Sequence, residues 1–436
     1  MQIIRQDQVD FDARVLELRD RLRAGELVAS TEAKKLDVPA VVSDILHQVR
    51  TRGDDAVLEL EARLDQARLT AATLRVSAED IGKAHAAADA SFLALVRRVI
   101  ANIRQYQQSI LHKDPPPLTR GGRTLGVRYL PVDRVGVYVP GGRALYPSSV
   151  LMTVVPAQVA GVREIVLASP PRGGDIDPMV LALAGELGVT EVLRIGGAVA
   201  IGAMAYGTAT IKPVDKIVGP GNAFVAQAKR QVLGQVGIDS IAGPSEVLLV
   251  ADDTARADYV AADMIAQAEH DPGSAILVTT SPRLVAEVPA QLTAQLARLE
   301  RGAATASCLE RYSAILLVDT LERACQMANL FATEHLQIAV ADTPAALAMI
   351  RHAGAIFIGQ HSPVPLGDYY AGPSHVLPTG GTARFFSPLS CNDFLKSTSL
   401  IQYDAASLAA DGADVIDFAT REGLTGHAAA VRVRNP

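Results

Sequence analysis

Apolar positions in the first third of the chain recur every three or four residues. Phe11, Val15, Leu18 and Leu22 form one such series, and Val38, Val42, Ile45 and Val49 a second. That spacing lines one face of a helix, and Gly53 supplies the stop for the second. Ser77 with Asp80 fits a capping box, a hydroxyl and a carboxylate meeting the free amides of a first helical turn. The stripe then runs on through Phe92, Val96, Ile100 and Ile103, which predicts one long helix from Ser77. Pro115-Pro116-Pro117 ends it, because proline has no amide to donate, and this run is the best linker candidate.

Beyond the prolines the rhythm changes to short β-branched runs alternating with helical stretches. Val135–Val139, Ile165–Ala168, Val192–Ile195 and Lys216–Val218 form a first series of strands. Val247–Val250, Ala275–Thr279, Ile315–Val318, Gln337–Val340 and Ala355–Ile358 form a second. Each run is short, nearly all apolar and followed by a helical pattern, as a parallel sheet buried on both faces requires. The fold class is therefore α/β, with one unit at roughly 136–244 and another beginning near Glu246. A Gly/Pro-rich stretch from Gly359 to Arg384 breaks the alternation, and Ala405–Arg434 returns to helix.

Composition narrows the function. The 436 residues correspond to two or three domains at ~150 residues each. With 49% hydrophobic and 20% charged residues the chain can bury a large core, which excludes a disordered protein. A net charge of −6 offers no general attraction to nucleic acid or anionic lipid. No apolar run approaches the ~18 residues of a membrane span. The N-terminal residues carry charges where a secretory signal needs its apolar stretch. Cys308, Cys325 and Cys391 are odd in number and lack CxxC spacing, so they read as reduced thiols. A cytoplasmic location is expected.

Six segments offer chemistry. Gly219-Pro220-Gly221-Asn222 follows a strand and opens a helix, but Phe224 stands where a dinucleotide fingerprint has its third glycine. It reads either as a ligand loop or as a tight turn, and so does the glycine turn after Tyr138, Gly141-Gly142. Gln267 and His270 share one face at a helix end that Pro272 enforces, where His270 either binds a metal or caps carbonyls. Glu334-His335 supplies two acid/base groups of different pKa, although such a pair in a loop is often only solvated. Asp368 and His375 lie in an irregular Gly/Pro-rich stretch, expensive to order unless it packs or functions. Glu422 and His427 lie near the C-terminus, with no local motif tying them to the rest.

Taken in order, Tyr138-Val139-Pro140-Gly141-Gly142, Gly219-Pro220-Gly221-Asn222, Ala242-Gly243-Pro244-Ser245-Glu246, Gln267-Ala268-Glu269-His270, Glu334-His335-Leu336, Gly367-Asp368-Tyr369, His375-Val376-Leu377-Pro378-Thr379 and Leu424-Thr425-Gly426-His427 resemble the histidinol dehydrogenases. The resemblance runs from about residue 30 to 434. It implies two Rossmann-like but incomplete parallel-sheet domains with small helical segments at both ends. The layout it implies is 1–30 as an N-terminal helical segment and 31–135 plus 246–388 as a discontinuous domain holding the zinc and catalytic residues. A domain at 136–245 contacts NAD, and 389–436 reaches the partner of a homodimer.

The family oxidises L-histidinol through L-histidinal to L-histidine with two NAD and one zinc ion per site. Carried over residue by residue, the resemblance implies Gln267, His270, Asp368 and His427 as zinc ligands, and Glu334 and His335 as the acid/base pair. Ser245, Gln267, His270, His335, Asp368, His375, Glu422 and His427 would meet the substrate, with Glu422 and His427 acting in trans. Tyr138 and Asn222 would contact NAD. Two positions depart from the family pattern: Val199 replaces a glutamine that contacts NAD, and Ser374 replaces an asparagine. They keep open a related zinc- and NAD-dependent dehydrogenase of another small polar alcohol. A two-lobed binding protein without catalysis is the alternative of another class.

Overall fold

The computed structural model describes residues 1–23, 37–141, 147–270 and 273–434. In chain order its strands are β1 (Gln2–Arg5), β2 (Leu118–Arg120), β3 (Arg123–Pro131), β4 (Arg134–Tyr138), β5 (Glu164–Ser169), β6 (Glu191–Arg194) and β7 (Lys216–Val218). There follow β8 (Gly237–Ile238), β9 (Ser245–Ala251), β10 (Gly273–Thr279), β11 (Ala314–Leu317), β12 (His335–Ala339), β13 (Ala355–Ile358) and β14 (Leu395–Tyr403).

One sheet is five-stranded and parallel, in the order β6-β5-β4-β7-β8. The other is six-stranded and parallel, in the order β1-β11-β10-β9-β12-β13. Every apolar run read as a strand lies in one of them. β9 and β10 are apolar along nearly their whole length because both faces are covered. Helices Phe11–Arg23 and Leu321–Phe331 cover one face, and Ala257–Ala268, Pro282–Leu296 and Gly302–Tyr312 the other. Each fully buried Val, Leu or Ile there contributes about 1.5–3 kcal/mol against chain entropy. All three cysteines are free and buried.

The N-terminal segment begins as a strand rather than a helix: β1 pairs in parallel with β11, ahead of helix Phe11–Arg23. Its expected boundary at residue 30 lies outside the described residues. The helix read as starting at Ser77 is two helices, Ala78–Ala87 and Ala90–Ile110. Asp89 caps the second by accepting from the Phe92 amide at 2.7 Å, so one apolar stripe spans a sharp turn. Ser77 accepts from the Asp80 amide as expected, but the Asp80 carboxylate takes the Ser77 hydroxyl instead of a backbone amide.

Helices 38–110 pack on the five-stranded sheet, whereas the expected layout grouped 31–135 with 246–388. The reason is shape. Val42, Ile45, Leu46 and Val49 need a partner face, and the small-residue helix Gly197–Tyr206 lets them come close. A Cβ at Gly202 would stand 3.0 Å from Leu46 Cδ2. On the other face, helices Ala78–Ala87 and Ala90–Ile110 join Pro147–Ala160 and Pro178–Glu186. The C-terminal segment is anchored there too, through buried Leu389, Cys391 and Phe394.

A third sheet, β14-β3-β2, is antiparallel and was not read from the sequence. β14 pairs with β3 along all nine residues, from Leu395 opposite Pro131 to Tyr403 opposite Arg123. It leads into helices Ala405–Arg421 and Thr425–Arg432, which were expected as helix.

Candidate active site

The parallel register of β9, β10 and β12 brings their amino ends side by side, with His335 opposite Val247 and Ser245 opposite Gly273. Glu334, one residue ahead of β12, thereby reaches the start of β9. Its Oε2 accepts from the Ser245 hydroxyl at 2.7 Å and from the Glu246 amide at 3.1 Å. His335 is 3% exposed, and its Nδ1 meets Gln267 Oε1 at 3.0 Å on the last turn of helix Ala257–Ala268. Asp368, on helix Val364–Tyr369, places Oδ1 3.6 Å from His335 Nε2, an ion-pair distance too long for a hydrogen bond. A cleft of about 360 Å³ lined by Phe357, Asp368, Ser374 and His375 opens at this point.

Electrostatics distinguish these groups. Burial alone would lower the His335 pKa, but the Glu334 and Asp368 carboxylates outweigh it and hold the imidazole above its ordinary value. For Asp368, burial raises the pKa, and its interaction with the nearby His335, together with the charges of His375 and His270, brings it below the usual carboxylate range. His375 falls to about 4, chiefly by burial, so it is neutral near pH 7. Its Nε2 lies 3.4 Å from Ser149 Oγ on helix Pro147–Ala160, so this loop bridges the two parallel sheets.

The structure thus gathers Ser245, Gln267, Glu334, His335 and Asp368, with His270 and His375 within electrostatic reach. It does not bring Glu422 or His427 to them: both are exposed on the tail. The His427 amide donates to Leu424 O within its own turn. Among the described residues no three His, Cys, Asp or Glu side chains form a metal cluster. The donors present nonetheless suit zinc, with an amide oxygen, an imidazole and a carboxylate from three elements. The buried Nε2 atoms of Gln267 and His335 lack hydrogen-bond partners, which marks a pocket with polar capacity to spare. Pro272, read as the stop of the Gln267 helix, lies outside the described residues.

Tyr138 ends β4, and its hydroxyl accepts from the Gly197 amide at 3.1 Å. Burial pushes this phenol up to about 12. Asn222 caps helix Ala223–Val232, its Oδ1 accepting from the amides of Phe224 and Val225. Both residues sit at carboxyl ends of parallel strands, where α/β proteins hold ligands. Gly142 and Arg143 of the other glycine turn lie outside the described residues. Val199 is 1% exposed inside the core, so its side chain meets neighbours there rather than a ligand. The Ser374 hydroxyl donates to Met152 O at 2.9 Å and accepts from the Val376 amide at 3.2 Å, which occupies it within the fold.

Sequence reasoning gave Glu246 no role. It is buried, takes a hydrogen bond from the Gly380 amide, and is raised to about 8 by burial, with Glu334 adding to the effect. The available signal was a charged residue entering an otherwise apolar strand.

Comparisons with known proteins agree with the geometry. A sequence model described as histidinol dehydrogenase matches residues 28–435. A histidinol dehydrogenase of Rhodopirellula baltica is 49% identical over 413 residues, covering 94% of this chain and 90% of the relative. One of Geobacillus kaustophilus is 49% identical over 418 residues, covering 95% and 98%. The crystal structure of histidinol dehydrogenase from Elizabethkingia anophelis superimposes with a TM-score of 0.91 at 33% identity, covering 100% of this chain and 98% of that one. Two parallel sheets, a Glu-His pair at their junction and similarity along nearly the whole length lead to one assignment: the chain belongs to the histidinol dehydrogenase family.

Proposed function

We propose that the chain oxidises L-histidinol through L-histidinal to L-histidine, the last step of histidine biosynthesis, with two NAD per turnover. The observation that carries this reading is the junction where Glu334 and His335 sit side by side, each held by a different partner. Gln267, His270 and Asp368 would hold a zinc ion, with His427 from a second copy of the chain completing the set. Ser245, His375 and the partner's Glu422 would complete the substrate site. When bound, zinc supplies an electrophilic anchor for the substrate, and NAD accepts hydride.

The chain's own groups divide the proton transfers. With Nδ1–H donated to Gln267, His335 presents Nε2 as the free nitrogen that takes the hydroxyl proton. Glu334, fixed through Oε2 by Ser245 and the Glu246 amide, keeps its other oxygen for a water that adds to the aldehyde. Tyr138 and Asn222 would contact NAD. A homodimer in the cytoplasm accords with a tail that carries its functional residues into solvent. No helix among the described residues is long and apolar enough to cross a membrane.

Both departures from the family pattern are absorbed by packing, which favours histidinol over another small alcohol. Val199 fills core, and the Ser374 hydroxyl is already bonded at both its donor and its acceptor side. The deciding experiment follows NADH and product together with metal analysis. Two NADH per histidine formed and one zinc per chain support the reading. Turnover of another alcohol with histidinol left unreacted overturns it.

A further inference from the structure

Lys229 and Asp239 form an ion pair whose side chains are 2% and 4% exposed, and no step above uses it. Such a pair rarely stabilises a fold more than well-packed apolar residues of the same volume would. Its placement offers a different reason for its presence. Asp239 Oδ2 accepts from the Gly219 amide at 2.8 Å, while Lys229 Nζ donates to Gly219 O at 3.0 Å. Both backbone groups of one residue are therefore fixed by one pair. Gly219 has φ +113°, and a Cβ there would lie 2.1 Å from Tyr138 O, so the turn is seated against the backbone of Tyr138.

The two charged residues come from either side of this turn. Lys229 stands two turns into the helix that Asn222 opens, and reaches back to the loop. Asp239 follows β8 on the segment that crosses from one parallel sheet to the other, and its Oδ1 also accepts from the Ser240 amide at 2.7 Å. The far end of that crossover is Ser245, bonded to Glu334, and its middle is held by the Gly243 amide on Thr379 Oγ1. The pair thus ties the loop bearing Asn222 to the segment bearing Ser245. Asn222 Oδ1 is committed to capping, which leaves its NH₂ as the donor for a ligand. Among the described residues the Gly221 and Asn222 amides meet no acceptor.

We propose that Lys229 and Asp239 are positioning residues for the dinucleotide, holding the Gly219–Asn222 turn and the Ser240–Ser245 crossover in fixed relation. The proposal rests on the reading that Asn222 and Tyr138 contact NAD. Neither charged group touches the cofactor. Their effect is exerted through the orientation of the turn.

The test is the full-length chain carrying K229M/D239N, which removes both charges together and leaves neither stranded. NADH affinity is measured by calorimetry, alongside KM for NAD, KM for L-histidinol and thermal melting. The expected result is a Kd for NADH weakened about tenfold, with KM for L-histidinol within about twofold of the unsubstituted chain. Unchanged NADH affinity, or an equal loss for both ligands, overturns the proposal. N222A separates the two layers of argument. If it leaves NADH affinity intact, the cofactor assignment falls and the proposal falls with it. If it weakens NADH while the double variant does not, the pair alone is refuted. Hydrogen exchange on the unsubstituted chain gives a reading that needs no variant: NADH slows exchange at the Gly219 amide, and no slowing there counts against the pair.

Discussion

His335 owes its position to packing and its basicity to two carboxylates, and those contributions can be separated. His335→Ala removes the proposed base while leaving Gln267, His270 and Asp368 in place. Turnover should fall by roughly 10²–10⁴-fold with zinc content retained, measured by NADH production and metal analysis on one sample. A second residue-scale effect concerns Glu61, which is fully buried and accepts from the Gly196 amide at 3.0 Å. Burial raises it to about 9, with Asp65 adding to the effect, so it folds as the neutral acid. Between about 4.5 and 9 the unfolded chain ionises this group while the folded chain keeps the proton. Its contribution is therefore fully present below pH 4.5 and is lost as pH rises through that window. The loss has a limiting slope of about 1.4 kcal/mol per pH unit. Glu61→Gln has no such proton to lose. The stability of E61Q relative to the parent should thus improve steadily from pH 5 to pH 8.5, as followed by denaturant midpoints.

At the scale of elements, the turn between β7 and helix Ala223–Val232 is the most constrained piece near the site. Gly219→Ala puts a methyl group against Tyr138 O in a left-handed conformation that costs an L-residue about 1–2 kcal/mol. It should lower the melting temperature and raise KM for NAD, while KM for L-histidinol stays near its parent value. Sequence pattern revealed the elements that are buried on both faces and missed those that are not. β9, β10 and β12 read as apolar runs because helices cover both sides. β14 is exposed almost throughout, so nothing in Leu395–Tyr403 had to alternate for burial. The turn at Asp89 stayed hidden because the stripe on either side keeps its phase. Glu334-His335 was legible as chemistry, but its link to Gln267 and Asp368 depends on strand register, which no local spacing encodes.

For the whole molecule, the proposed substrate groups lie at the amino ends of one parallel sheet and the proposed cofactor groups at the carboxyl ends of the other. The His375 loop and the Ser240–Ser245 crossover join them. In the proposed dimer each such junction is completed by His427 and Glu422 of the other copy. Mixing separately inactive H335A and H427A chains tests this arrangement. A mixed dimer then carries one site with both lesions and one with neither. Random reassortment should restore about a quarter of parental activity. Sites contained in one chain would stay silent in every mixture.

β14 is an edge strand of nine residues, and Leu400 and Ile401 face outward from it. An unpaired row of amides and carbonyls beside apolar side chains is a template for indiscriminate strand addition. A lone chain would be at risk of clumping, and in the proposed dimer pairing would shield the tail at the same moment that it completes the cleft. Dilution should accordingly cost solubility and activity together, and tight-binding substrate analogues that bridge both copies should protect against each loss.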